Sequence, residues 1–255
     1  MQSLQPSQSL WHILPFSVAD QQQHIDQSEM LLAEAAPGQP ATLYWSQAAL
    51  PGIVLGFSQK PTVLNAHALA THPISVYHRR AGGTAVLVGP HLLSLDVILP
   101  AQHPLILSDI VESYRWFGEA WVEALLLLGV QTRAIPTNEA HAQRILLKQL
   151  ETREREAILR RACYGSLSPY EVVAGQRKVV GLDMIRRKTG SLLQAGLLLQ
   201  WNTELLAQFL GHTLEEQVIL REGLSERAIG LNTLARRVIT MQEVIATFEQ
   251  VLLTL

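Results

Sequence analysis

A single cysteine, Cys163, stands among 255 residues, so neither an internal disulfide nor a cysteine-rich zinc site can form. No lysine or arginine precedes Lys60, which leaves out the positively charged start of a secretory signal. Charged residues make up only 16% against 48% hydrophobic ones, a balance that excludes a disordered chain or a coiled coil. Long apolar runs are missing as well, because Glu123 interrupts the best stretch at 120–130. The formal net charge of −2 argues against a general nucleic-acid binder. Nine histidines include no HxxxH or HxH pair, so no metal site is expected, and no GxSxG elbow of an α/β-hydrolase occurs. What remains is a cytoplasmic α/β protein with room for a sizeable core.

The pattern along the chain predicts an arm over 1–19, loosest over its polar first ten residues, ahead of one domain over 20–255. Helical spacing runs over 20–35 and stops at Ala-Pro-Gly-Gln-Pro-Ala. Short strand-like runs follow at 42–46, 53–57 and 74–78, then a Gly-Gly turn and a further strand at 92–99. The clearest helix is 109–128, with Gly129 where a C-terminal cap belongs. A charged, broken helix is expected over 139–162. Strands at 170–174 and 178–182 flank Gly175-Gln176-Arg177 as a hairpin, and 191–200 is another strand. The remainder reads as helix, its last member opening on the capping-box pattern Thr240-Met241-Gln242-Glu243. Together these predict a mixed, largely antiparallel sheet packed with helices, an α/β protein of the α+β kind.

Two segments carry possible chemistry. In Arg79-Arg80-Ala81-Gly82-Gly83-Thr84 the glycines let backbone N–H groups approach an anion, and the arginines can grip a carboxylate or phosphate. The spacing is neither a Walker loop nor a dinucleotide fingerprint, and a Gly-Gly pair between strands is also an ordinary turn. In CYGSLSPYEVVAGQRKVVG, Cys163 offers a thiol that can carry an acyl group as a thioester, and the hairpin can bring Lys178 back toward it. The plain alternatives are a small buried thiol and a solvated strand-edge lysine. Lys178→Ala should impair acyl transfer while leaving the fold intact, since a strand-edge lysine contributes little to packing. Between Arg144 and Lys188 lie eleven of the twenty basic residues against five acids, either a patch that steers an acidic partner or a solvated face.

These segments resemble the biotin/lipoate A/B protein ligase family, most closely the cysteine-dependent octanoyltransferases of its lipoate ligase A-like branch. Arg79–Gly83 is similar to that family's Arg-Arg-x-Gly-Gly loop. Cys163–Gly181 resembles the branch's Cys, Pro-x-Tyr-Glu and Gly-x-Lys-x-x-Gly segment. The resemblance implies a tunnel for a medium-length acyl chain and transfer of octanoyl or lipoyl from a carrier-protein thioester to a lysine of a lipoyl domain. It assigns Cys163 as acyl carrier and Lys178 as the group that polarises the carbonyl. Arg79, Arg80, Gly82, Gly83, Thr84, Gly181 and Gln194 would bind substrate. No cofactor is needed for such transfer, and the implied partners are acyl carrier protein and lipoyl domains, with the enzyme a monomer and no membrane or nucleic-acid partner. The chain departs from the family pattern at Val88, where a histidine is frequent, at Gln194-Ala195-Gly196 instead of Gln-His-Gly, and in Gly181-Leu182-Asp183-Met184. A pocket relined in this way takes another acyl chain or loses activity.

Three other readings share the same residues. An ATP-dependent lipoate–protein ligase uses the loop and the lysine but needs no thiol. A lipoyl-domain amidotransferase uses the same cysteine. A non-catalytic acyl- or cofactor-binding relative forms no covalent adduct.

Overall fold

A computed structural model describes residues 11–146 and 149–254. The chain begins with β1 (Trp11–Ile13), β2 (Ser17–Ala19), α1 (Gln21–Glu34), β3 (Ala41–Ala48), β4 (Gly52–Leu55), α2 (Ala66–Thr71), β5 (Ser75–His78), β6 (Val86–Val88) and β7 (Leu92–Pro100). Next come α3 (Arg115–Leu127), β8 (Arg133–Ala134), α4 (Thr137–Leu146), α5 (Arg153–Leu159), β9 (Val172–Ala174), β10 (Arg177–Arg186) and β11 (Gly190–Leu198). Four helices close the chain: α6 (Glu204–Leu210), α7 (Leu214–Arg227), α8 (Leu231–Ala235) and α9 (Met241–Leu252).

The larger sheet runs β1-β3-β7-β11-β10-β9-β8, with β2 also paired to β3. Its central pairs are antiparallel, and only β1 and β2 join β3 in parallel. A smaller sheet, β5-β4-β6, stands beside it. The expected mixed, largely antiparallel architecture is therefore what the chain adopts.

Side chains alternate across a strand with period two, and β7 shows what that alternation does here. Leu93, Leu95, Val97 and Leu99 are fully buried on one face, in the cluster that holds Phe117 and Trp121 of α3 and Phe248 of α9. Each such leucine removed from water contributes about 1.5–3 kcal/mol. Trp45 of β3 meets Trp121 and Phe248 edge-on, at centroid distances of 5.9 and 5.6 Å. The opposite face carries Leu92, Ser94, Asp96 and Ile98. Over it lies α1, whose buried residues are His24, Ser28 and Leu32.

Local chemistry explains the element ends. The Asp20 side chain accepts from the Gln22 N–H and opens α1, and Thr240 with Glu243 forms the predicted capping box of α9. Gly175, at φ +61°, turns the predicted β9–β10 hairpin. Several expectations change. Residues 11–19 of the expected arm form two short strands on the sheet edge, while the loose arm over 1–10 lies outside the described residues. The helix predicted from 109 starts at Arg115, because Asp109 Oδ1 accepts from the N–H groups of Val111 and Glu112 and a 3-10 turn intervenes at Glu112–Tyr114. The charged helix of 139–162 is two helices, α4 and α5. Strands β6 and β8, of three and two residues, are too short to show any periodicity in sequence.

Candidate active site

Cys163 is placed by a small parallel bridge. Ala162 pairs with Ala85, the Cys163 N–H donates to the Ala85 carbonyl at 2.9 Å, and the Ala85 N–H donates to Arg161 O at 3.0 Å. The chain then makes a single 3-10 turn, Cys163–Gly165. Arg227 of α7 donates to the Gly165 carbonyl at 2.6 Å while paired with buried Glu156 of α5. The turn that carries Cys163 is thus tied to the smaller sheet on one side and to helices on the other. Its thiol is partly exposed and lines a cavity of about 740 Å³, counted with its open mouth.

Lys178 comes back to the cysteine, as the hairpin predicted, but not as a solvated edge charge. It is 1% exposed, and its Nζ lies 2.9 Å from the Cys163 carbonyl oxygen and 2.8 Å from Glu171, itself 2% exposed. The ammonium sits 5.4 Å from the centre of the Tyr164 ring. Burial pushes the Glu171 carboxyl up and the Lys178 charge opposes that push. Bonds from the Ser168 and Leu182 N–H groups add to the carboxylate's partners. Lys178 therefore holds the main chain of Cys163 from behind Tyr164. To touch an acyl carbonyl in the cavity, its ammonium would have to leave Glu171.

Tyr164 separates the ion pair from the cavity floor. Its hydroxyl donates to Gly196 O at 2.6 Å, and burial pushes its pKa well above the ordinary value. Gly181 and Gly196 are cross-strand partners on β10 and β11, and together they make space for this ring. A Cβ at Gly196 would stand 3.0 Å from the Tyr164 hydroxyl, whereas one at Gly181 would have 3.6 Å.

The arginine–glycine loop folds around its own first residue. Arg79 donates to Gly82 O at 2.9 and 3.1 Å and to Thr84 O at 3.3 Å, and its Nε lies 3.6 Å from Asp183 Oδ2. Burial raises the Asp183 pKa, against the pull of Arg79. Gly83 has φ +79°, and its carbonyl passes so close to Gly56 that a Cβ there would be 2.1 Å away. Arg79 borders the cavity, while Gly82, Gly83 and Thr84 serve it as loop and hydrogen-bond acceptors. Arg80 turns outward: its side chain is 62% exposed, pairs with Glu29 at 2.9 Å, and borders a depression at the mouth with Phe57.

The cavity floor is built from two cross-strand rows. One is Gly181–Gly196–Ser94–Ser46 and the other is Asp183–Gln194–Asp96–Tyr44, running over β10, β11, β7 and β3. Asp96 is 5% exposed; Ser28 Oγ of α1 donates to one oxygen and Gln194 Nε2 to the other, the latter at 3.0 Å. Burial raises the Asp96 pKa from 3.8 to about 6. His24 bonds the Tyr44 hydroxyl at 2.7 Å and the Gln47 carbonyl at 2.9 Å. Val54, Val86, Val88 and Leu92 supply apolar wall. Val88 thus lines the cavity at the position where the family has a histidine, and His91 is bonded to Leu87 O instead.

Of the residues singled out in the sequence, Cys163, Arg79, Gly181 and Gln194 line one cavity. His24, Ser28, Ser94, Asp96 and Glu171 were not singled out. Ser94 and Asp96 leave a visible signal, two polar residues at period two inside an apolar strand. The basic stretch 144–188 is not one free patch, since Arg155, Arg161 and Lys178 pair with Glu226, Glu216 and Glu171. Among the described residues no group of histidines, cysteines or acids could hold a metal, and no helix is long and apolar enough to cross a membrane.

A partly exposed cysteine thus stands on the wall of a cavity between a mixed sheet and one covering helix in an α+β fold. The profile of the lipoyl protein ligase A/B catalytic domain matches residues 20–253, and the chain belongs to that family. It is 28% identical over 246 residues to an octanoyltransferase LipM of Exiguobacterium sp., covering 94% of this chain and 84% of that one. It is 30% identical over 175 residues to the LipM of Staphylococcus aureus, covering 68% of this chain but only 59% of that one. Among solved structures, a bipartite lipoate protein ligase of Thermoplasma acidophilum, described with its E2 lipoyl domain, superposes with a TM-score of 0.72. The identity there is 16%, with 94% of this chain and 80% of that one covered. A lipoate-protein ligase A bound with ATP gives 0.69 at 17% identity, covering 94% and 82%.

Proposed function

We propose that the chain is an octanoyltransferase of lipoate metabolism that carries its acyl group on Cys163. In the first step Cys163 Sγ bonds to the carbonyl carbon of a carrier-protein thioester, the carrier's C–S bond breaks, and the released thiolate takes the proton Cys163 gave up. In the second a lipoyl-domain lysine amine bonds to the same carbon. The Cys163 C–S bond breaks, and the sulfur recovers a proton from the amine as the amide forms. Exchange between thioesters is nearly balanced and the amide is the more stable product, so the sequence runs without ATP. The relatives named octanoyltransferase LipM support this reading, as does the family to which the chain belongs. A lipoyl group would follow the same steps, whereas amidotransfer between lipoyl domains would differ in the first: Cys163 Sγ bonds to the donor's amide carbon, the C–N bond breaks, and the leaving lysine amine takes the proton Cys163 gave up.

The observation that carries the choice against a ligase is the state of the three cations. Arg79, Arg80 and Lys178, the cations singled out in the sequence, face Asp183, Glu29 and Glu171. A phosphate would have to compete with a carboxylate at each, while the cysteine thiol is open to the cavity. We assign Cys163 as the catalytic residue and Lys178 as a positioning residue that acts through the Cys163 carbonyl.

Mass spectrometry after mixing the protein with octanoyl-loaded carrier protein tests this. A 1:1 covalent adduct that disappears in Cys163→Ser is expected, followed by ATP-independent transfer to an apo lipoyl domain. Modification of the lipoyl domain that needs free acid and ATP and survives Cys163→Ala would overturn it.

A further inference from the structure

The acyl pocket of a purely aliphatic chain has no use for a carboxyl group, yet Asp96 lines this one. Its presence is costly, because a carboxyl taken from water must be compensated by hydrogen bonds. Three separate elements converge to do so: Ser28 from α1, Gln194 from β11, and Asp96 itself from β7. Each carboxyl oxygen has one protein partner, and a carboxylate oxygen accepts two bonds. Ser94 and Ser46 lie in the neighbouring row, on the same face and about 7 Å along the strands at about 3.4 Å per residue. All five side chains border the cavity that Cys163 enters. Cys163 itself sits among apolar neighbours, Val54, Val86, Val88 and Leu92, so the cavity is apolar near the thiol and polar beneath α1.

An acyl chain starting from the Cys163 sulfur thus begins in hydrocarbon and runs toward hydrogen-bond acceptors. A methyl end laid against Asp96 displaces water from the carboxyl and returns nothing. A hydroxyl end donates to it. Among the described residues that line the cavity the one lysine or arginine is Arg79, which is turned to Asp183 and to the carbonyls of its own loop and is not paired with Asp96. We propose that Asp96, held by Ser28 and Gln194, is a specificity determinant that selects medium-length acyl groups bearing a hydrogen-bond donor toward their far end. This rests on acylation of Cys163 as described above and refines the acyl group it accepts.

The test uses the intact protein and N-acetylcysteamine thioesters of octanoate, ω-hydroxyoctanoate and ω-methoxyoctanoate, with the rate of Cys163 adduct formation read by mass spectrometry. The wild-type protein should load the hydroxy chain about tenfold faster than either of the others, since the methoxy end keeps the oxygen but cannot donate. Asp96→Leu should erase that preference and favour octanoate. Octanoate loading as fast as the hydroxy chain in the wild-type protein overturns the proposal while leaving acyl transfer intact, whether or not the variant folds. No adduct from any of the three overturns the acylation reading and this refinement with it.

Discussion

Lys178 and Glu171 are both almost wholly removed from water, so each depends on the other for its charge. Removing one member of such a pair leaves an uncompensated buried charge, which typically costs about 3–5 kcal/mol. Lys178→Met should therefore lower unfolding stability by about 3 kcal/mol in urea titration at neutral pH. The same holds in direction for Lys178→Ala, which sequence reasoning on a strand-edge lysine expected to impair transfer but to leave the fold intact. Adding Glu171→Gln to Lys178→Met should regain at least about 1 kcal/mol, because the glutamine carries no charge and its one carbonyl oxygen can still accept from the Ser168 N–H, the shorter of the two backbone bonds. A double variant no more stable than the single one would show that the pair is not the source of the loss. Slow acylation in the refolded double variant would report the positioning of the Cys163 carbonyl separately from stability.

Strands β7, β10 and β11 give the site its floor, and their outer neighbours decide what can lie on it. Gly181 and Gly196 face each other in register, but only Gly196 is in tight contact with Tyr164. A methyl group at Gly196 pushes on the hydroxyl that bonds the Gly196 carbonyl, and overpacking of this kind typically costs about 1–3 kcal/mol. Gly196→Ala should accordingly lower the melting temperature and slow Cys163 acylation, as the ring next to the nucleophile shifts. Gly181→Ala, with 3.6 Å of space, should be tolerated in both measurements. Equal behaviour of the two variants would mean that Tyr164 does not set the position of Cys163. In sequence the two glycines look alike. Their difference comes from the side on which the tyrosine leans.

Across the whole molecule one face of the large sheet is hydrocarbon under α3 and α9, while the other holds a polar floor under α1. The pH response of stability follows from that floor. The Asp96 pKa is raised by burial from 3.8 to about 6, so the native protein holds this proton more tightly than the unfolded chain does. Stability is then lost as pH rises through that interval, by up to about 3 kcal/mol, and the loss is complete above it. Asp96→Asn removes the titration, so its stability relative to wild type should grow by about 2–3 kcal/mol between pH 4 and pH 8 in urea unfolding. Parallel stability curves would refute this. The strands of the floor, the helix cap of α9 and the β9–β10 hairpin were legible in sequence because each rests on neighbours a few residues apart. So was the thiol, through the segment it shares with its family. Short β6 and β8, and the strands at residues 11–19, were not, because their pairing and not their own pattern makes them strands. The sequence by itself determined which side chains alternate, where the hairpin turns, and that the chain holds a single cysteine. Only the tertiary structure decided that Lys178 is sealed against Glu171, that Arg79 faces Asp183, and that Ser28, Asp96 and Gln194 share one carboxyl. Those outcomes depend on desolvation and on partners brought together through space, and neither is a property of any local stretch of chain.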